Sequence, residues 1–313
     1  MQVLGKDNRH YIQSPLNYTG GKYKLLSQLL PLFPDNINCF VDLFCGGCNV
    51  GINVRCNTVL FNDLNRPLLY LYNTFKNLDK DLIFALIYKI IDDYKLSLVS
   101  KYGYEYYGCE SSKGLGAYNR ERFIRLRDDF NNNHNEDYYY YLMLYVLIVY
   151  AFNNQIRFNS NGKYNLPVGK RDFNTQMHTK LDLFIERIKA QDCIFSCKDF
   201  RELDISLSSY RDFVYVDPPY LITCASYNEQ DGWTEKDEKD LLSFLDSLDK
   251  KGIRFALSNV LRSKGRVNEL LVQWLEANRM KYVKHNLNYN YSNSNYHTKD
   301  KTAFAEEVLI TNY

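Results

Sequence analysis

No sign of charge dominates this sequence, and no apolar run in it is long. The net charge is +2 over 313 residues, so composition alone points to no polyanionic or membrane partner, and any basic surface must be local. The longest apolar stretch, YYYYLMLYVLIVYAF at 138–152, is too short and too rich in tyrosine to cross a bilayer, and reads as a buried helix. The first residues, MQVLGKDNRHY, lack the apolar segment of a secretory signal. The eight cysteines form no spaced framework. Cys45 and Cys48 make a lone C-x-x-C without a second pair at zinc spacing, which excludes the usual finger sites and leaves reduced thiols in a cytoplasmic protein without a metal as the expectation. Neither common phosphate fingerprint is present. In YTGGKYKLL (18–26), Leu16 stands where a P-loop has its first glycine and Tyr23 where it has Ser or Thr, so ATP hydrolysis has no support. VDLFCGGCNVG (41–51) is not G-x-G-x-x-G, so the dinucleotide fingerprint is absent too.

What is present is a core. Hydrophobic residues make up 45% of the chain, well above a disordered composition. Short β-like runs recur at CFVDLFC (39–45), VLFND (59–63), CIFSCKD (193–199), FVYVDPP (213–219), RFALSN (254–259), VKHNLN (283–288) and AEEVLITN (305–312). Several are apolar throughout, as strands covered on both faces are. Amphipathic helix patterns lie between them at 22–33, 67–77, 180–190, 235–251 and 267–277, and Thr234 sits as an N-cap before an acidic first turn. The alternation predicts a doubly wound α/β sheet. It breaks between about 78 and 180, where helix patterns such as 81–94 and 138–152 stand without a clear buried strand. This stretch reads as a helical insertion forming a second domain, with residues 1–77 and 181–313 making the first.

The insertion ends in AFNNQIRFNSNGKYNLPVGKR (151–171), where Asn161-Gly162 signals a hairpin. The segment carries Arg157, Lys163, Lys170 and Arg171 and no acid. Charge for phosphates, with amides and a guanidinium for base edges, suits nucleic acid; an ordinary solvated hairpin has the same composition.

The chemistry concentrates at strand ends. VDLFCGGCNVG reads as strand, glycine turn, then helix, a layout in which backbone approaches a ligand closely. Asp63 ends the next strand, where an acid accepts hydrogen bonds from ribose hydroxyls. CKDF (197–200) offers Asp199 to an amino group and Phe200 as a stacking ring. FVYV runs into Asp217, Pro218, Pro219 and Tyr220. Proline has no N–H for a sheet, so the strand must stop there. The Pro-Pro pair fixes a carbonyl beside the Asp217 carboxylate, and Tyr220 presents a flat face. Acceptors around an exocyclic amine draw its nitrogen towards sp3 character and free its lone pair, so methyl transfer needs positioning and electrostatics without a covalent enzyme intermediate.

DPPY after an apolar strand, DLFCGG and FND before it, YTGGK ahead of both and the hairpin FNNQIRFNSNGKYNLPVG resemble the Dam-like alpha group of N6-adenine DNA methyltransferases. The resemblance covers almost the whole chain in the group's order, EEVLITN included. It implies a Rossmann-like methyltransferase sheet with an inserted, mainly helical target-recognition domain (78–180, hairpin 152–171), S-adenosylmethionine as donor and double-stranded DNA as substrate. It places Tyr18, Gly21, Lys22, Asp42, Phe44, Gly46, Asp63, Asp199, Phe200 and Asp217 at the cofactor, and Asp217 to Tyr220 on a flipped adenine. Phe152, Asn153, Gln155, Arg157, Asn159 and Lys170 fall on the DNA-reading surface, and Tyr289 or Tyr291 near the extruded base. Here F-x-G-x-G reads F-C-G-G-C, with Cys48 at the second glycine, and Asn17 and Gln155 depart from the Dam residues, so the Dam recognition site is not carried over. A restriction-modification or phage enzyme in a cytoplasm is implied, with a cognate restriction endonuclease as a possible partner. An RNA or protein amino-group methyltransferase, or a DNA-binding module without catalysis, are the competing readings; Asp at position 217, where protein-directed relatives carry Asn, favours a nucleobase amine.

Overall fold

In the computed structural model, residues 11–203, 209–223, 232–288 and 305–313 are described. The strands are β1 (Ile37–Asp42), β2 (Cys56–Asn62), β3 (Asp192–Ser196), β4 (Phe213–Val216), β5 (Arg254–Ser263), β6 (Arg266–Val267), β7 (Val283–Leu287) and β8 (Glu306–Thr311). They form one sheet in the order β3-β2-β1-β4-β5-β8-β7, with β6 paired to β5. From β3 to β5 the pairs are parallel. β8 runs antiparallel to both β5 and β7. Every expected strand is present, and the α/β class with a largely parallel sheet is as the sequence predicts.

Side chains alternate across the sheet with period 2, and the alternation sorts two cores. Phe40, Val59, Phe61, Phe213, Tyr215, Ala256 and Leu309 face one way. Val41, Val214, Val216, Phe255, Leu257, Val308 and Ile310 face the other. The second core is closed by α8 (Glu235–Lys250) and α9 (Glu269–Ala277). The first is closed by α1 (Leu26–Leu29), α2 (Arg66–Asn77), α3 (Lys80–Asp93), α5 (Gly116–Asn132), α6 (Tyr138–Tyr150) and α7 (Thr175–Ala190), with the short α4 (Val99–Tyr102) beside them. α6 packs against α2, α3 and α5. Its residues from Tyr141 to Tyr150 are all buried, which explains why its sequence shows no polar face. One apolar cluster runs from the sheet through α2 into the inserted helices. Among the described residues no helix is long and apolar enough to cross a membrane.

Local chemistry sets the ends. The Thr234 hydroxyl accepts from the Asp237 N–H while the Asp237 carboxylate accepts from the Thr234 N–H at 2.9 Å, a complete capping box on α8. Elsewhere the structure corrects the expectations. The amphipathic run at 22–33 is not one helix: 3-10 turns at Tyr23–Leu25 and Leu30–Leu32 flank the four residues of α1, because Pro31 has no N–H to continue the ladder. The helix expected after the glycine turn shrinks to a 3-10 turn at Gly51–Asn53, since Val54 leads at once into β2. α5 arises from a strongly charged sequence whose buried residues are only Asn119, Phe123, Leu126 and Phe130. The hairpin near Asn161-Gly162 is held by isolated bridges, Ala151 to Val168 and Phe158 to Tyr164, rather than by a continuous ladder. Gly162 takes φ +71°, and the Asn159 side chain accepts from the N–H groups of Asn161 and Lys163, an Asx turn that closes the tip. Tyr289 and Tyr291 lie outside the described residues.

Candidate active site

β1 sits between β2 and β4. The chain leaves β1 to one side through β2 and β3, then crosses to the other side at β4. Open α/β sheets bind ligands beyond the carboxyl ends of their strands at such a switch point, and the residues singled out in the sequence converge there. The Asn62 side chain ties the ends together. Its Nδ2 donates to the carbonyls of Leu43 (3.1 Å) and Lys198 (3.0 Å), and its Oδ1 accepts from the Lys198 N–H at 3.2 Å. The reading of FND picked out its aspartate and passed over this asparagine.

Beyond β1 the glycine turn is tight. Gly46 has φ +43°, and a Cβ there would lie 2.8 Å from the Tyr18 ring, so the position is closed to other residues. Its carbonyl accepts from the buried Tyr72 hydroxyl at 2.9 Å. Its N–H donates to Asp63 Oδ2 at 2.9 Å, while Asp63 Oδ1 accepts from the Asn65 N–H at 2.9 Å. Burial pushes the Asp63 carboxyl up, against the pull of these donors. Cys48, at the family's second glycine, adopts φ +57° and lies buried beside Cys45. The turn therefore keeps a left-handed residue there despite the side chain.

Asp42 is only 2% exposed, and its Oδ2 accepts from the Gly51 N–H at 3.0 Å. Burial, opposed by that bond and reinforced by the charges of Asp217 and Asp63, pushes its carboxyl up to about 7. The folded protein thus binds a proton that the unfolded chain releases near pH 4. That contribution is full at low pH and is lost as pH rises towards 7. Unfolding free energy should fall across this window. Asp42→Asn, which keeps an acceptor for Gly51, should flatten the decline in denaturant titrations at several pH values.

Beyond β4 stands the acidic corner. Asp217 Oδ1 accepts from the Tyr220 hydroxyl at 2.8 Å and lies 2.9 Å from Lys22 Nζ. The ammonium also lies 3.8 Å from Glu307 Oε1, donates to the Gly20 carbonyl at 3.0 Å, and stands 5.0 Å from the centre of the Tyr220 ring. Lys22 and Glu307 are 6% and 3% exposed. Two carboxylates thus share one buried cation, and removing it would leave both without their charged partner. Glu307 was not foreseen. Its signal was an acid inside the apolar strand EEVLITN, at a position whose alternation points it inward.

Beyond β3, Phe200 is buried against Phe44 and Trp233, with ring centres 5.7 and 6.1 Å away. Asp199 is held by Arg201, whose Nη1 lies 3.0 Å from Oδ2 and whose Nε reaches Asp240 at 2.8 Å. The Trp233 indole donates to buried Glu238 at 2.6 Å, so the third aromatic of this wall is fixed from beneath.

A family model for D12 class N6 adenine-specific DNA methyltransferases matches residues 18–290. The chain belongs to that family. It is 42% identical over 309 residues to the type II methyltransferase M.FokI of Planomicrobium okeanokoites, covering 97% of this chain and 43% of that protein. It is 40% identical over 320 residues to the modification methylase StsI of Streptococcus sanguinis, covering 99% and 44%. A DNA adenine methylase of Salmonella typhi is 26% identical over 223 residues, covering 71% and 69%. The chain thus spans less than half the length of the first two relatives. In this D12-family chain, the segment at 17–22 joins the acidic corner to the inserted helices: Tyr18 packs on Gly46, Gly21 N–H donates to the Tyr18 carbonyl at 3.1 Å, and Asn17 Nδ2 donates to the Asn153 carbonyl at 2.8 Å. Asn153 and Asn154 are both left-handed, with φ of 55° and 53°. They turn the chain out of α6 and leave Phe152 50% exposed. Arg157 is braced, its Nε donating to Asn165 Oδ1 at 2.8 Å and its Nη2 to the Asn165 carbonyl at 3.3 Å. Gln155 and Asn159 are half-buried and Lys170 is exposed.

Proposed function

We propose that this chain transfers a methyl group from S-adenosylmethionine to N6 of an adenine flipped out of a short site in duplex DNA, within a restriction-modification system of a bacterial or phage-infected cytoplasm. The observation that carries the reading is the Lys22–Asp217–Tyr220 contact at the switch point, set beside the glycine turn of β1. Membership of the D12 family supports it.

The residues present suit the donor. Phe44, Phe200 and Trp233 form an apolar, aromatic wall for an adenine. Asp63 is an acceptor for ribose hydroxyls. Tyr18, Gly21 and Gly46 line the approach for the amino-acid end, Asp42 holds the turn through the Gly51 N–H, and the Asp217 carboxylate complements a positive centre. When bound, the donor supplies an electrophilic methyl group on sulfur.

The chain does the rest by placement. Lys22 and Tyr220 grip Asp217 through Oδ1, which fixes the carboxylate so that its other oxygen can accept an N–H from the target amine. The backbone at Pro218-Pro219 gives a second acceptor that cannot swing away. Tyr220 stacks on the base and offsets part of the cost, a few kcal/mol, of taking it out of the duplex. Asp217 is also the nearest acceptor for the proton that the amine gives up.

Labelled S-adenosylmethionine incubated with the chain and mixed-sequence duplex DNA, RNA and protein acceptors tests this. N6-methyladenine in the DNA digest is the expected product. Label only in RNA or protein, or in none, overturns the reading.

The hairpin at 152–171 is proposed to read the site. Arg157→Ala should weaken binding to the cognate sequence by about 1–3 kcal/mol and relax preference at one base pair, because a braced guanidinium suits guanine O6 and N7. An equal loss on all DNA in filter-binding assays would place it on phosphate.

A further inference from the structure

β5 outlasts β4 on the side of the catalytic corner. Val216, the end of β4, pairs with Leu257, yet β5 continues to Ser263. Glu307, which Lys22 reaches, pairs with Val260. The tip of the β5–β6 hairpin at Lys264-Gly265 therefore lies up to about 13 Å further out, at about 3.3 Å per residue, past a register shift between Val260 and Arg262. Ser263 pairs with Arg266 across this tip, a two-residue loop with φ of +48° at Lys264 and +77° at Gly265. Such a turn favours Asn, Asp or Gly at its first position, and a lysine there gives up turn stability to hold its charge at the apex. Arg262, Lys264 and Arg266 are all exposed. The nearby acid, Glu306, is shared by Arg262 at 3.5 Å and Lys284 at 3.0 Å, and Glu269 follows at the start of α9. Among the described residues the rim remains positive.

We infer that the β5–β6 hairpin is a second nucleic-acid contact, gripping backbone phosphates of the duplex that presents the target adenine, separate from the reading hairpin at 152–171. This rests on the proposed function. A phosphate contact here carries no sequence information but holds the backbone at the mouth of the site while a base is extruded.

The test uses the full chain, a fluorescent cognate-length duplex and several salt concentrations. Lys264→Gln with Arg266→Gln should lower the slope of log affinity against log salt by about 1.8, near 0.9 per phosphate, and weaken binding roughly ten- to a hundredfold at about 0.1 M salt. S-adenosylmethionine affinity should be unchanged. Lys250→Gln with Lys251→Gln, the same charge removed beyond the opposite end of β5, should leave the slope as it is. Lys264→Asn separates charge from structure: the turn gains a favoured residue, so thermal stability should hold or rise while duplex affinity falls. An unchanged slope in the first variant, or equal effects of the two lysine pairs, overturns the inference while the function stands. No salt-dependent duplex binding by the unaltered chain overturns both.

Discussion

Tyr220→Ala is expected to remove most turnover while leaving S-adenosylmethionine affinity nearly intact. On the proposed reading the ring stacks on the flipped base, and stacking on an aromatic is worth about 1–3 kcal/mol per base, so about 5- to 150-fold is lost from kcat/KM for DNA. Tyr220→Phe separates the two roles of the side chain. It keeps the stacking face but removes the hydroxyl that donates to Asp217 at 2.8 Å, a charge-assisted bond worth about 1.5–3 kcal/mol. Single-turnover rates with both variants, beside donor binding by calorimetry, give the comparison. Donor affinity falling in step with turnover would show that Tyr220 serves the cofactor instead.

Lys22→Met should produce the largest loss of stability. The methionine fills the space of the stem but leaves Asp217 and Glu307, 16% and 3% exposed, without the cation they share. Breaking a buried ion pair from one side costs about 3–5 kcal/mol. The double variant Lys22→Met with Glu307→Gln should recover much of that stability, since one stranded charge is gone, yet should stay inactive because Asp217 has lost its grip. Denaturant unfolding of the single and double variants measures the coupling. If Glu307→Gln restores nothing, the two carboxylates do not share Lys22 as the geometry indicates.

The site was legible where its chemistry constrains the chain. Pro218-Pro219 must end a strand, and the glycine at 46 must accept the Tyr18 ring, so both stand out in sequence. The strands were legible because burial on two faces demands continuous apolar runs. What was missed depends on partners far along the chain. Glu307 looks like any acid near a strand end until Lys22 is brought to it. Asn62 gains meaning only once β1, β2 and β3 lie side by side. The outer end of β5 is Arg262 and Ser263, where an inner strand would carry apolar residues, so its length and the hairpin beyond it did not show. The run at 22–33 has helical spacing throughout, and only the proline inside it tells otherwise.

The position of β8 has a consequence for how the molecule matures. It is the last of the described strands, yet it enters the sheet between β5 and β7 and brings Glu307 to Lys22, far from it in sequence. Until β8 is in place, Lys22 and Asp217 have one partner fewer and the sheet has a gap beside β5. Closure of the sheet and completion of the buried charge cluster should therefore be a single event in folding.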